Sequence, residues 1–123
     1  MNLRVPGNKD LGRKGERLAL DFLRKKGYRI IETNYRTRRG EIDIVCEHGG
    51  CIVFVEVKTR RSLSFGNPEE AVNERKRRKM LDTASRYLLE RSRIDKVDCR
   101  FDVIAIVEGK RQTITHIQDA FRP

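Results

Sequence analysis

The sequence predicts an α/β chain in which helices and strands follow in the order α-β-β-β-α-β-β. Two segments of helical apolar period, a pair of strand-like runs around two glycines, and two more β-prone runs near the C-terminus carry that reading. Leu11, Gly15, Leu18, Ala19 and Phe22 recur at helical spacing over about residues 11 to 26, and Gly27 stands where a C-terminal cap belongs. YRIIETNY follows as a short β-prone run, and RTRRG breaks it with a basic turn. GEIDIVCE and CIVFVEVKTR flank HGG, whose glycines can take the positive φ of a tight hairpin, so these two strands should pair antiparallel. After a loop at RSLSFG, Asn67 reads as an N-cap, with Pro68, Glu69 and Glu70 in the first turn of a second helix. The apolar set of that helix, Ala71, Val72, Met80, Leu81, Ala84, Tyr87 and Leu88, leaves a gap at 73 to 79, so a bend or break is expected near Asn73. CRFDVIAIVEG and QTITHIQDAF complete the chain as two strands.

With 123 residues the chain fits one domain whose core needs no disulfide or metal staple, and residues 1–10 are expected to be mobile. The balance of 28 Lys and Arg against 18 Asp and Glu gives +10, a surplus that attracts polyanions, nucleic acid foremost. No apolar stretch reaches the length of a membrane span, and MNLRVPGNKD has no apolar core of a secretion signal, so a cytoplasmic chain without membrane partners is expected. Cys46, Cys51 and Cys99 lack the CxxC spacing of a zinc or redox site, and buried reduced thiols are the expectation, with a Cys46–Cys51 disulfide disfavoured.

The chemistry-bearing residues sit in the hairpin. Side chains alternate along a strand, so Glu56 and Lys58 in VEVK share one face. A loop from His48 to Cys51 sets Glu47 opposite Ile52 and, continuing the register, Asp43 opposite Glu56. Two acids facing each other within a sheet repel, and a cation between them would resolve the repulsion. With two histidines in the chain, a hard oxygen-ligand site for Mg²⁺ or Mn²⁺ is expected rather than a histidine site. Glu16, on the flank of the first helix's apolar stripe, is a candidate third carboxylate. Acid-x-Lys occurs three times, at Glu56, Glu74 and Glu108; only the first follows the run CIVFV, with an aspartate placed upstream across the hairpin to pair with it. The competing readings are solvated charges on an exposed hairpin face and, for Glu16, an ordinary exposed helix carboxylate.

GRKGERLALDFLRKKGYRIIETNYRTRRGEIDIV, VFVEVKTR, NPEEAVNERKRRKMLDTASRYL and RFDVIAI together resemble the YraN-like family of small bacterial proteins over nearly the whole chain. That family is similar to the PD-(D/E)xK nuclease superfamily and to archaeal Holliday-junction resolvases. The resemblance implies a restriction-endonuclease-like core with a mixed sheet of about five strands and flanking helices. It also implies a metal site on Glu16, Asp43, Glu56 and Lys58; Ile42 stands where the superfamily's name has proline. On that basis the expected activity is Mg²⁺- or Mn²⁺-dependent endonucleolytic hydrolysis of DNA. Asp43, Glu56 and the Val57 carbonyl would hold the ion, Lys58 would orient the nucleophile, and Glu16 would be an outer or second-metal ligand.

Arg36, Arg38 and Arg39 lead into Asp43, Arg60 and Arg61 follow Lys58, and Lys76, Arg77 and Lys79 form a basic run on the second helix. Such groups contact phosphates without reading bases, although the helical run can equally be a solvated face. Aromatic residues are 7%, too few for a single-strand stacking platform, so duplex or branched DNA is the expected substrate; charge alone does not separate DNA from RNA. A homodimer is expected from the resolvases. Asp102 is read as structural, bonding a neighbouring arginine. The alternative from another class is a non-catalytic nucleic-acid-binding or ribosome-associated module on the same scaffold, with the arginines and without the metal.

Overall fold

A computed structural model of the protein describes residues 8–61, 72–91, 98–109 and 111–121. Helix α1 (Asn8–Lys25) is followed by strands β1 (Arg29–Arg36), β2 (Glu41–His48) and β3 (Cys51–Arg60), helix α2 (Glu74–Glu90), and strands β4 (Asp98–Val107) and β5 (Thr113–Phe121). The element order is the one the sequence predicts. The five strands form one mixed sheet in sequential order, antiparallel except for the central parallel pair β3–β4. Antiparallel neighbours need only short turns, whereas the parallel pair needs a crossover, which contains α2.

Each face of the sheet packs against one helix. On one, Ala19 and Leu23 of α1 cover Ile44, Cys46, Val53, Val55, Ile104 and Ile106. On the other, Met80, Ala84 and Tyr87 of α2 cover Val45, Phe54, Phe101 and Val103, with Ile42, Tyr35 and Phe121. A sheet covered on both faces has near-continuous apolar strands, and β3 is buried without a break from Ile52 to Glu56. α1 lies unusually close to the sheet at Gly15, where a Cβ would stand 1.9 Å from Thr59 Oγ1. Only a residue without a side chain permits that approach, and it carries the next residue, Glu16, down toward the strand ends.

The β2–β3 turn is Gly49–Gly50, with φ of 57° and 77°, and the ladder runs from His48–Cys51 through Glu47–Ile52 to Ile44–Val55. This is the predicted register, and positive φ at both turn residues suits the twist of a two-residue hairpin. One expectation is corrected. The ladder stops one pair short of Asp43 and Glu56, because strand alternation breaks at Asp43: Ile42 packs under α2 while Ile44, two residues on, packs under α1. Across from Asp43 on β1, Asn34 has a φ of 53°, and the pairs Thr33–Ile44 and Tyr35–Ile42 flank the irregularity. Asparagine tolerates this left-handed conformation better than most residues.

The first helix starts earlier than the sequence predicts. α1 starts at Asn8, so the expected mobile segment 1–10 is helical at its last three residues. For α2, Asn73 is the N-cap, its side chain accepting the Lys76 N–H at 2.8 Å. The break expected near Asn73 is thus a helix start; the predicted start at Asn67 to Glu70 lies outside the described residues. The cysteines are all free, as expected, but only Cys46 is buried; Cys51 and Cys99 lie at the starts of β3 and β4 and are half-buried and exposed. Among the described residues no helix is long and apolar enough to cross a membrane.

Candidate functional site

Where β2 and β3 part, Asp43 Oδ2 accepts the N–H of Val57 at 2.8 Å. The carboxylate thereby satisfies an amide that the shortened ladder leaves over. Glu16 from α1 and Glu41 from the start of β2 join it, each offering a carboxylate oxygen, all within 4.8 Å of one another. The Asn34 amide, in the orientation that satisfies its neighbours, donates its NH₂ to Glu16 Oε1 at 2.9 Å and Glu41 Oε1 at 3.1 Å. A side chain projected by a left-handed backbone therefore holds two carboxylates together.

On the next strand Glu56 is 3% exposed. Its Oε1 lies 3.0 Å from Lys76 Nζ of α2 and 3.9 Å from Lys58 Nζ, while its Oε2 is buried with no hydrogen-bond partner among the described residues. A buried carboxylate oxygen without a partner is costly and rare. Burial raises the Asp43 carboxyl to about 7, and the Glu56 charge adds to the rise, outweighing the stabilising Val57 N–H. Glu16 and Glu41 act in the same direction. Four carboxylates are thus concentrated where their charge is not balanced by hydrogen bonds alone.

The three-acid group opens into a cleft of about 540 Å³ whose lining includes Arg13 and Arg36, and an adjoining cleft of about 570 Å³ adds Arg17. Arg36 pairs with Glu41 at 3.3 Å across exposed surface. Acids and arginines therefore line the same clefts.

The predicted residues fall as follows. Glu16 and Asp43 come together. Glu56 is outside the three-acid group, and its charge reaches Asp43 from the neighbouring strand. Val57 meets Asp43 through its N–H. Lys58 lies along the same strand face as Glu56. Of the basic residues, Arg36 lines the cleft, Arg38 is exposed, Arg39 pairs with Asp82 at 3.4 Å, and Arg77 stacks over the Phe121 ring at 5.5 Å. Arg60 gives its backbone carbonyl to the Glu108 N–H, Arg61 follows β3 as an exposed residue, and Lys79 packs its Cβ toward Gly40. Lys76 turns to Glu56 rather than outward with its neighbours.

Sequence reasoning missed Glu41, Asn34, Arg13 and Arg17 as site residues. Glu41 had a signal, since it stands two residues before Asp43 on one strand. Asn34 had none, because its role depends on a backbone conformation imposed by the sheet.

Asp102 belongs to a separate buried network. It accepts from Arg100 at 3.0 and 3.2 Å and from the Asp119 N–H at 2.9 Å, and lies 2.7 Å from His116 Nε2. Lys26 Nζ is 2.9 Å from His116 Nδ1; a lysine can only donate there, which leaves Nε2 to carry the proton toward Asp102. Burial alone would raise the Asp102 carboxyl, but the His116, Arg100 and Asp119 bonds outweigh it and hold it below its ordinary value. The network fills the irregularity between Phe101 and Val103 in the β4–β5 ladder, so the structural reading of Asp102 is the one its contacts favour.

Fold and site together define an α/β protein with a five-stranded mixed sheet, one helix on each face, and an acidic group where two central strands diverge. Residues 15–106 match the model of the uncharacterised protein family UPF0102. The chain is 51% identical over 114 residues to a UPF0102 protein of Alkaliphilus metalliredigens, covering 93% of this chain and 99% of that one. It is 48% identical over 118 residues to one from Trichlorobacter lovleyi, covering 94% and 92%, and 51% identical over 115 residues to one from Syntrophomonas wolfei, covering 93% and 99%. The protein belongs to the UPF0102 family, the YraN-like proteins whose resemblance the sequence carries.

Proposed function

We propose that the protein is a divalent-metal-dependent endonuclease with a restriction-endonuclease-like core, hydrolysing phosphodiester bonds in duplex or branched DNA. The observation that supports this most is the group Glu16, Glu41 and Asp43 beside the buried, half-satisfied Glu56. A set of carboxylate oxygens with no histidine or thiolate suits a hard cation, so these residues fit Mg²⁺ or Mn²⁺. Asp43 and Glu56 with the Val57 carbonyl would hold the ion, and Glu16 and Glu41 would complete or orient its shell. The chemistry supplied there is polarisation of the scissile phosphate and a lower pKa for a water.

The chain's own groups account for the rest. With no cation present, burial raises the Asp43 carboxyl to about 7, so its charge changes near neutral pH, and a bound cation would favour the ionised form. Lys58, with its ammonium 3.9 Å from Glu56 Oε1, would orient the attacking water and meet charge building on the phosphate oxygens. Arg13, Arg17 and Arg36 in the cleft linings grip the flanking phosphates, a contact without base specificity. Two strands of a junction would be cut by two copies of the chain.

The competing reading, a non-catalytic nucleic-acid-binding or ribosome-associated module, is favoured by the same arginines but has no use for a buried carboxylate oxygen without a partner. Labelled linear, branched and single-stranded DNA, with matching RNA, separate the two. The native chain should cut DNA with magnesium or manganese, while Asp43→Asn and Glu56→Gln bind it without cutting. Failure of the native chain to cut every substrate rejects the nuclease reading.

A further inference from the structure

We infer that Lys76 is a tethered counter-ion that competes with the divalent cation for Glu56, so that the protein sets its own metal affinity from α2. This rests on the metal-site reading above and adds a regulating residue to it. Lys76 occupies the third position of α2, where its backbone N–H is held by the Asn73 cap. A cation in the first turn of a helix opposes the helix dipole, so helix stability does not explain a lysine whose ammonium is held there. Its neighbours Arg75, Arg77 and Arg78 are exposed, whereas Lys76 is half-buried and brings its Nζ to 3.0 Å from Glu56 Oε1.

Among the described residues the other cation at Glu56 is Lys58, whose Nζ stands farther off at 3.9 Å, and the second oxygen has no hydrogen-bond partner there. Oε1 is therefore neutralised by a group that can leave, because the Lys76 stem is flexible and 38% of its side chain faces solvent. A divalent ion that draws on Glu56 must displace or share this ammonium.

Titration of Mn²⁺ by calorimetry, with melting curves alongside, tests this on the native chain, Lys76→Met, Lys76→Arg and Asp43→Asn. Lys76→Met should bind Mn²⁺ roughly tenfold more tightly, the equivalent of ~1.4 kcal/mol. Without metal it should melt below the native chain, because Glu56 is left buried and unpaired, and it should gain more from added Mn²⁺. Lys76→Arg, which keeps a cation, should bind like the native chain. If Lys76→Met does not fold, Lys76→Gln, uncharged but still able to donate to Glu56, should shift affinity in the same direction. Equal or weaker affinity in the uncharged variants, with binding still lost in Asp43→Asn, overturns the role of Lys76 and leaves the site intact. No Mn²⁺ binding by any variant overturns both.

Discussion

Replacing Asp43 by asparagine removes a charge while leaving an oxygen to accept the Val57 N–H, so it isolates the electrostatic cost of the acidic group. The Asp43 carboxyl moves from an ordinary value of 3.8 to about 7 in the folded chain. Its folded pKa lies above its unfolded one, so between about pH 4 and pH 7 the native state holds a proton that the unfolded state has lost. Stability of the metal-free chain therefore falls as pH rises through that window and levels off above it. At ~1.4 kcal/mol per pKa unit, three units set a ceiling of about 4 kcal/mol. The asparagine must itself be accommodated, so the realised gain above pH 7 should be about 1 to 3 kcal/mol. In a chain of this size each kcal/mol moves Tm by about 4 °C. Chemical denaturation of both proteins in chelator at pH 5 and pH 8 reads the effect. The advantage of Asp43→Asn should be small at pH 5 and grow toward pH 8. A variant less stable than the native chain at pH 8, or a difference independent of pH, refutes the reasoning.

Other perturbations test the supports of the site. Gly15→Ala gains helix propensity of about 1 kcal/mol but sets a Cβ against Thr59, so α1 must retreat. A net loss of about 1 to 2 kcal/mol is expected, with weaker Mn²⁺ binding by displacement of Glu16, measured by thermal melts and calorimetry. Asp102→Asn should cost about 3 kcal/mol by leaving Arg100 and His116 without their buried anion, and Mn²⁺ affinity should not change, since the network lies apart from the acids. Because its folded pKa is depressed, the contribution of Asp102 is present above about pH 4 and lost in more acid solution, where the native chain should approach the variant. Arg13→Gln with Arg36→Gln should weaken binding of unrelated duplexes alike, and the slope of log affinity against log salt should fall by about 2, as fluorescence anisotropy would show.

The elements and their order were legible because period and turn chemistry agreed: the Gly49–Gly50 turn and the continuous apolar run of β3 left one sensible register. The same reasoning overreached at Asp43, since regular alternation was assumed through a point where the opposite strand carries Asn34 at positive φ. That break turns Ile42 and Ile44 to opposite faces and sends the Asp43 carboxylate to the Val57 amide. Glu16 was legible only as a flank of an apolar stripe. What brings it to Asp43 is the close approach at Gly15, whose cause, Thr59, is 44 residues away in the chain. Asn73 and Asn67 present similar capping chemistry, and propensity does not rank them; the Lys76 N–H bond marks Asn73 as a cap. Asp102 and Arg100 are visible as a local pair, but His116 joins them only because β5 folds back beside β4.

Anomalous diffraction from crystals soaked in Mn²⁺ tests the central claim most directly, that the carboxylates at the parting of β2 and β3 trap a divalent ion. Density bonded to Asp43 Oδ1 or Oδ2, with Glu56 or Glu16 in its shell and Lys76 drawn away, is the expected result. Manganese bound elsewhere on the surface, with Asp43 and Glu56 unmoved, would contradict it.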